Sequence, residues 1–395
     1  MSATPTVPRL DDPAAWRAAY AAPSAMTVGL EDEVMVLDPR TFDFAPQGAR
    51  LVALLGDPRI RTELPAAQVE LVTGPGATVS AAARELAELR RLAARGARAL
   101  GLRLAAAAVH PFAPPSGPLN DAPHYSDLAA KYGTVAMRQL VFGLHVHVAV
   151  RGEDRVVPVY NALREHLPLI TALSANAPFY GGRDTGLASV RPEISTLLPR
   201  QGVPPAFASW EHVADTFRFG RAAGSVADAG SWWWEARLHP RWGTVEVRVA
   251  DAQSTVSEAA GIAAFIQCLI AWLADRHDAR DLPAPAETWR IAENRWSAYR
   301  HGLDGTMAEA RTGARRPTRE ALAMLLDRLG SVATGLGCAA ELRTARDLVA
   351  CNGSERLRAV IAERGLPEAV AWLADRFEAP HGDSRAQRVG RLSRR

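Results

Sequence analysis

Pairs of polar residues spaced two apart recur inside otherwise apolar runs of this chain. TVGLEDEVMVL carries Glu31 and Glu33, FGLHVHVAV carries His145 and His147, and GTVEVRVAD carries Glu246 and Arg248. Successive side chains of a strand point to opposite faces, so residues two apart share one face. Each run therefore predicts a strand presenting two polar groups side by side. Strands are predicted at about Thr27 to Leu37, Ala67 to Thr73, Leu102 to Val109, Gln139 to Val150 and Thr244 to Asp251, with Glu70 just ahead of the breaker Gly74-Pro75-Gly76. Between them a helical period takes over. Thr78 to Leu100 reads as an amphipathic helix with Val79, Leu86, Leu89 and Leu92 along one side, and Val156 to Ala175 as a helix leading into a loop over 176–184. Thr255-Val256-Ser257-Glu258 resembles a capping box that opens an apolar helix reaching about Ala274. From Ala286 onward the pattern is helical, with loops at Pro317 and Gly335-Leu336-Gly337.

Residues 1–25 hold Pro5, Pro8, Pro13 and Pro23 and predict an irregular lead-in, while the arginine-rich 381–395 predict a frayed tail. No internal repeat or linker interrupts the rest. The expectation is a single catalytic domain over 26–380 with a helical C-terminal part from about 286.

Composition narrows what such a face of polar pairs serves. With 395 residues, 48% hydrophobic and 23% charged, and a net charge of +3, the chain has the material for a large core and the profile of a soluble globular protein. Of 46 basic residues only Lys131 is lysine; arginine binds carboxylate and phosphate bidentately, but scattered as they are here the arginines fit codon bias and surface solvation. Ala259 to Ala274 comes nearest to a membrane span but is interrupted by Gln267, so a buried core helix is expected. Cys268, Cys338 and Cys351 form no C-x-x-C pair, which predicts small buried residues in a reduced setting and argues against a zinc ribbon. The N-terminus shows no basic region followed by an apolar one, so no signal peptide is expected and the setting reads as cytoplasmic.

Magnesium and manganese prefer oxygen ligands, and an imidazole suits manganese as well. Glu31, Glu33, Glu63, Glu70, His145 and Glu246 supply five carboxylates and one imidazole, enough for two or three ions. Left without metal, so many carboxylates would repel one another and raise their pKa values. Two structural alternatives remain open on spacing alone: His145 and His147 as hydrogen-bonded core histidines, and Glu246 with Arg248 as an ion-pair element of the sheet. Trp232-Trp233-Trp234 reads as core or pocket wall. The lysine shortage excludes the G-x-x-x-x-G-K-[ST] phosphate loop, weighs against ATP-grasp ligases and leaves few options for Schiff-base chemistry. G-x-S-x-G and H-E-x-x-H are also missing.

A longer series resembles the glutamate–cysteine ligase type 2 family, the carboxylate–amine ligases of the YbdK type. Its carriers, in order, are VGLEDE, ELPAAQVELVTGP, VHPFA, FGLHVHVAV, LSANAPFYGGRDTG, LHPRWGTVEVRVADAQ and ENRWSAYRHGLD. The resemblance implies an α+β fold with a glutamine-synthetase-like core: a curved, largely antiparallel sheet, flanked by helices, forms a funnel for metals, ATP and amino acid. It implies that Glu33, Glu63 and Glu70 hold one ion and that Glu31, His145 and Glu246 hold one or two more. His147 and Arg248 would face the nucleotide phosphates and the transferring phosphoryl group, making Arg248, Glu246 and His147 the catalytic set. Arg191 and Arg237 would contact substrate carboxylate or phosphate. The implied reaction is ATP-dependent amide formation through an acyl phosphate, most simply from the γ-carboxylate of glutamate and cysteine or another amine, with Mg²⁺ or Mn²⁺. Gly181-Gly182 and the stretch from Gly224 to Gly230 are candidates for a loop that closes over the site.

Glu235-Ala236-Arg237 stands where many relatives have Asp-Ile-Arg, and Ala149 where glycine is common, which leaves the amine specificity open. The partners implied are small-molecule amino acid and amine, with neither nucleic acid nor membrane; a homodimer stays open. Two other classes are a guanidino-type kinase, whose product would keep its phosphate, and a catalytically silent binding relative.

Overall fold

The computed structural model describes residues 10–21 and 26–381. Seven strands make one antiparallel sheet: β1 (Val28–Leu37), β2 (Ile60–Thr62), β3 (Gln68–Val72), β4 (Arg103–Ala105), β5 (Gly143–Ala149), β6 (Ala236–His239) and β7 (Thr244–Asp251). The order is β2-β3-β1-β5-β7-β6, and β4 pairs with the end of β1 that β5 leaves free. The paired polar runs thus become three neighbouring central strands.

Register decides which side chains meet. Glu33 stands opposite Glu70 and Glu31 opposite His145, while Glu246 lies between His147 on one neighbour and Arg237 on the other. Between β5 and β7 the pairing slips, from Leu144 with Ala250 to Val146 with Val247, so Arg248 and Val249 both oppose His145 in a β-bulge. A bulge interrupts the hydrogen-bond ladder. Arg191 at the start of the short helix Arg191–Ser195 donates to the carbonyls of Arg248 (3.1 Å) and Val249 (3.2 Å). Gly143 makes room for this clamp, since a Cβ there would collide with the Arg191 guanidinium.

The opposite face of the sheet is dry. Leu30, Val34, Val69, Leu71, Val146 and Val247 are fully buried in a core shared with the helices Val79–Ala99 and Val256–Asp278. Thr78 caps the first of these, and Thr255 with Glu258 forms the expected capping box on the second. Val256–Asp278 is the one helix among the described residues long and apolar enough to cross a membrane, yet 89% of its most apolar stretch is buried, so it is the core helix that the sequence led us to expect. Ala339–Ala350 packs on it so closely that a Cβ on Gly261 would lie 3.0 Å from the backbone nitrogen of Ala345. Glu258 then ties the C-terminal helices to this core through Arg356 and Arg376.

Several elements differ from expectation. The lead-in contains a helix, Pro13–Ala21, whose Trp16 and Tyr20 are fully buried; Pro13 opens it, a position where a missing N–H costs nothing. Residues 1–9 and 22–25, and the tail 382–395, lie outside the described residues. The strand expected over Leu102 to Val109 pairs only across three residues, because Ala108 bonds instead to Asn176 and Phe142. The helix expected from Val156 runs as Glu153–Leu163 and Leu167–Ser174, joined by a tight turn ahead of Pro168. A small hairpin, Thr306–Ala308 with Arg315–Pro317, interrupts the helical C-terminal part.

One polar contact crosses the dry face. Asp32, between Glu31 and Glu33 but pointing the other way, is fully buried and pairs with Arg90 of Val79–Ala99 at 2.8 Å. Arg90 also donates to the carbonyls of Gln253 and Ser254 just after β7. Burial raises the Asp32 carboxyl above its usual range even against the attraction of Arg90, so the pair is costly to form and more costly to break. Arg90→Met is expected to lower the free energy of urea unfolding by roughly 3–5 kcal/mol, with part of the loss recovered in Asp32→Asn/Arg90→Met; a loss below about 1 kcal/mol would show that this contact does not pin the sheet.

Candidate active site

All the polar pairs turn to one face. Glu31 lies at its centre, where His145 Nδ1 is 3.1 Å from Oε2 and His147 Nε2 is 3.3 Å from Oε1. Burial acts to raise its pKa, but the hydrogen bond with His145 and the neighbouring His147 imidazole overcome this and hold the carboxyl well below its usual range. The same surroundings lower His145 to about 4, through burial and then the charge of Arg248, so its ring is neutral and suited to ligation.

Glu33, Glu63 and Glu70 crowd the side of the face toward β2. Glu33 rises to about 8 because it is buried and faces Glu63, although Arg191 and the Gly143 N–H, which donates to it, work the other way. Glu70 is driven well above the carboxylate range by burial and by Glu31, Glu63 and Glu33; Glu63, on the turn after β2, is raised by burial as well. Toward β6 the balance reverses. Glu246 is fully buried between Arg237 and Arg248, both ion-paired to it, and these charges lower it despite desolvation.

Two groups of ligand atoms lie within 4.8 Å of one another: Glu31 with His147 and Glu246, and Glu31 with Glu70 and His145. Glu31 belongs to both, a position suited to a bridging carboxylate. The sets differ from those the resemblance implied, since His147 joins the Glu246 group and His145 joins the Glu70 group. His147 Nε2 is buried without a hydrogen bond, facing Glu31 and, at 4.0 Å, Glu246. An orphaned imidazole nitrogen between carboxylates, beside three acids with raised pKa values, is a donor set that fits hard divalent cations. Its other nitrogen is fixed on Thr244 Oγ1 at 3.0 Å.

The structure brings all ten residues singled out in the sequence to this region, but it engages two of them with the protein itself. Arg191 spends its two terminal nitrogens on the bulge carbonyls, and Arg237 donates to Glu246 and to the carbonyls of Gly230 and Trp232. A cleft opens beside the face, lined by Glu33, His145, Arg248, Trp233, Glu235 and Arg295 among others. Trp232 is core, stacked on Trp16 at 5.7 Å, whereas Trp233 is wall. Sequence reasoning missed Glu235 and Arg295 as site residues. Glu235 was within reach, since it stands two residues before Arg237 and so shares its face.

Comparison with known proteins gives the arrangement a family. The profile of Glutamate-cysteine ligase family 2 (GCS2) matches residues 27–374. A protein of Rubrobacter xylanophilus, provisionally named glutamate–cysteine ligase 2-3, is 39% identical over 367 residues that cover 90% of this chain and 98% of that one. A Corynebacterium glutamicum protein provisionally named glutamate–cysteine ligase 2 is 34% identical, covering 88% and 94%. The crystal structure of glutamate–cysteine ligase from Francisella tularensis in complex with AMP superposes with a TM-score of 0.66 over 92% of this chain and 91% of that one; at 12% identity the likeness is one of fold, and it bears out the expected α+β architecture. On the strength of the profile and of relatives covered nearly end to end, the chain belongs to glutamate–cysteine ligase family 2 and is an ATP-dependent C–N ligase.

Proposed function

We propose that the chain joins the side-chain carboxylate of an amino acid, most simply glutamate, to the amine of cysteine or a similar small molecule. The observation that carries the reading is the pair of donor sets sharing Glu31, with Arg248 beside them. A carboxylate is a poor acylating agent, so a carboxylate oxygen first attacks the γ-phosphorus of ATP and ADP leaves. The nitrogen of the amine then attacks the acyl carbon, the C–O bond to phosphate breaks, and the ammonium proton is lost to solvent.

Divalent cations, Mg²⁺ or Mn²⁺ and two or three in number, held by Glu31, Glu33, Glu63, Glu70, His145, His147 and Glu246, would neutralise charge on the phosphoryl oxygens. Arg248 does the same from the protein side, its guanidinium kept on the face by Glu246. Arg191 shapes the bulge that carries Arg248, and Arg237 orients Glu246 from the other flank; both leave less of their charge for substrate than the resemblance implied. His147, whose Nε2 faces Glu31 and Glu246, would join the cation ligands and stand beside the phosphates. Turnover in the cytoplasm, where cysteine is reduced, completes the reading.

ADP release is expected to need both a carboxylate substrate and a divalent cation, and added hydroxylamine should trap the acyl phosphate as a hydroxamate. Release that persists in excess chelator, or a product that keeps its phosphate, would overturn the reading. Arg248→Lys keeps the charge and loses the planar fork, so single-turnover ADP formation should slow about 10²-fold with the fold intact; an unchanged rate would remove Arg248 from the phosphoryl-handling role.

The raised acids make a third prediction. Glu33 titrates near 8 when folded and metal-free, far above an unfolded glutamate, so the folded chain holds more protons across this interval and loses stability as pH rises. In chelator the melting temperature should fall between pH 7 and pH 9, a window above the titration of unfolded histidine. Glu33→Gln, or added Mg²⁺, should flatten the fall. A wild-type slope that Glu33→Gln leaves unchanged would refute the assignment.

A further inference from the structure

The cleft beside the acidic face contains a carboxylate that the reaction scheme leaves unused. Glu235 is 7% exposed and gives one oxygen, Oε1, to the Nε of Arg295; Oε2 is buried and has no hydrogen-bond partner. A buried acceptor left unpaired costs the full desolvation of the group. Its placement continues the sheet. The Arg248 N–H donates to the Glu235 carbonyl at 2.8 Å, two residues beyond the pairing of Glu246 with Arg237, so Glu235 stands directly across from Arg248 and shares a face with Arg237.

The surroundings say what kind of donor is missing. Arg295 is itself anchored, over the ring of Tyr299 at 5.1 Å and toward the Pro192 carbonyl, and it serves as a fixed backing charge rather than a mobile ligand arm. Arg191 and Arg248 also line the cleft, but Arg191 is held on the bulge carbonyls and Arg248 on Glu246, so neither is paired with Oε2. A carboxylate with one oxygen tied and the other free, set next to the arginine assigned to the phosphoryl group, matches a cationic hydrogen-bond donor of small size.

We propose that Glu235 is the binding residue for the primary ammonium group of a substrate, held within reach of the carbon that becomes the acyl phosphate. This deepens the ligase reading and rests on it for the identity of the reacting groups. Two substrates carry such a group, the amino acid that is phosphorylated and the incoming amine, and the chemistry of the site is common to both.

The test is a set of binding measurements that do not depend on turnover. Calorimetric titration, with Mg²⁺ and a non-hydrolysable ATP analogue present, compares glutamate with its deamino partner glutarate, and cysteine with its deamino partner 3-mercaptopropionate. Wild type is expected to prefer the ammonium-bearing member of one pair by at least about tenfold, and Glu235→Gln to erase that preference; the pair affected tells which substrate uses the site. Because Glu235→Gln leaves Arg295 unpaired, Glu235→Gln/Arg295→Gln serves as the folded control and should behave alike. A preference retained in either folded variant, or no preference in wild type, overturns the proposal. Hydroxamate formation by the wild type, scored separately, reports on the ligase reading and not on Glu235.

Discussion

Like charge held at close quarters sets the terms for everything else in this molecule. Glu31, Glu33, Glu63 and Glu70 share one sheet face, and no arrangement of backbone removes their mutual repulsion. The fold contains it in two ways. On one flank burial and mutual repulsion push the pKa values of Glu33, Glu63 and Glu70 upward; on the other, arginines from β6 and β7 and the imidazoles of β5 hold Glu31 and Glu246 below the usual carboxylate range. A gradient from raised to lowered carboxyl pKa therefore runs across a single sheet before any ligand arrives. The dry face beneath makes this possible by fixing strand spacing, so that the acids cannot simply drift apart.

The bulge at Arg248 and Val249 is the second element of that control. Without it, β7 would continue in register, with Arg248 alone opposite His145 and Val249 opposite Leu144. With it, His145 meets two residues of β7, and the carbonyls released from the ladder become the anchor for Arg191. A helix start far away in sequence is thereby coupled to the middle of the sheet, and the cleft acquires its wall at the same point.

Legibility in the sequence followed the length and regularity of each element. β1, β5 and β7 were readable because polar residues two apart sit inside runs of seven residues or more that are otherwise mostly apolar, and the capping box ahead of Val256 was readable from four residues of local chemistry. β2 and β6, of three and four residues, carry too little alternation to be seen. The helix Pro13–Ala21 was hidden by its prolines, and its anchoring through Trp16 to Trp232 is a contact no local pattern encodes. The acids of the site were found by spacing and by likeness to a family, but the sharing of Glu31 between two donor sets depends on register, and the Glu235–Arg295 pair on a long-range approach of strand and helix.

The core helix Val256–Asp278 carries a cost that the finished structure conceals. It is as apolar as a membrane segment, and the helix Ala339–Ala350 that covers it lies about seventy residues further on. At bacterial or eukaryotic elongation rates the ribosome needs roughly 4–14 s to supply that cover. Throughout this interval the face that Ala339–Ala350 will cover stays open to chaperones and to the membrane-targeting machinery alike, although the sheet and the helix Val79–Ala99 that cover other faces have already been made. Whether a cell obtains active enzyme is then a matter of synthesis timing as well as of stability, and codon choice between the two helices becomes part of the protein's physics.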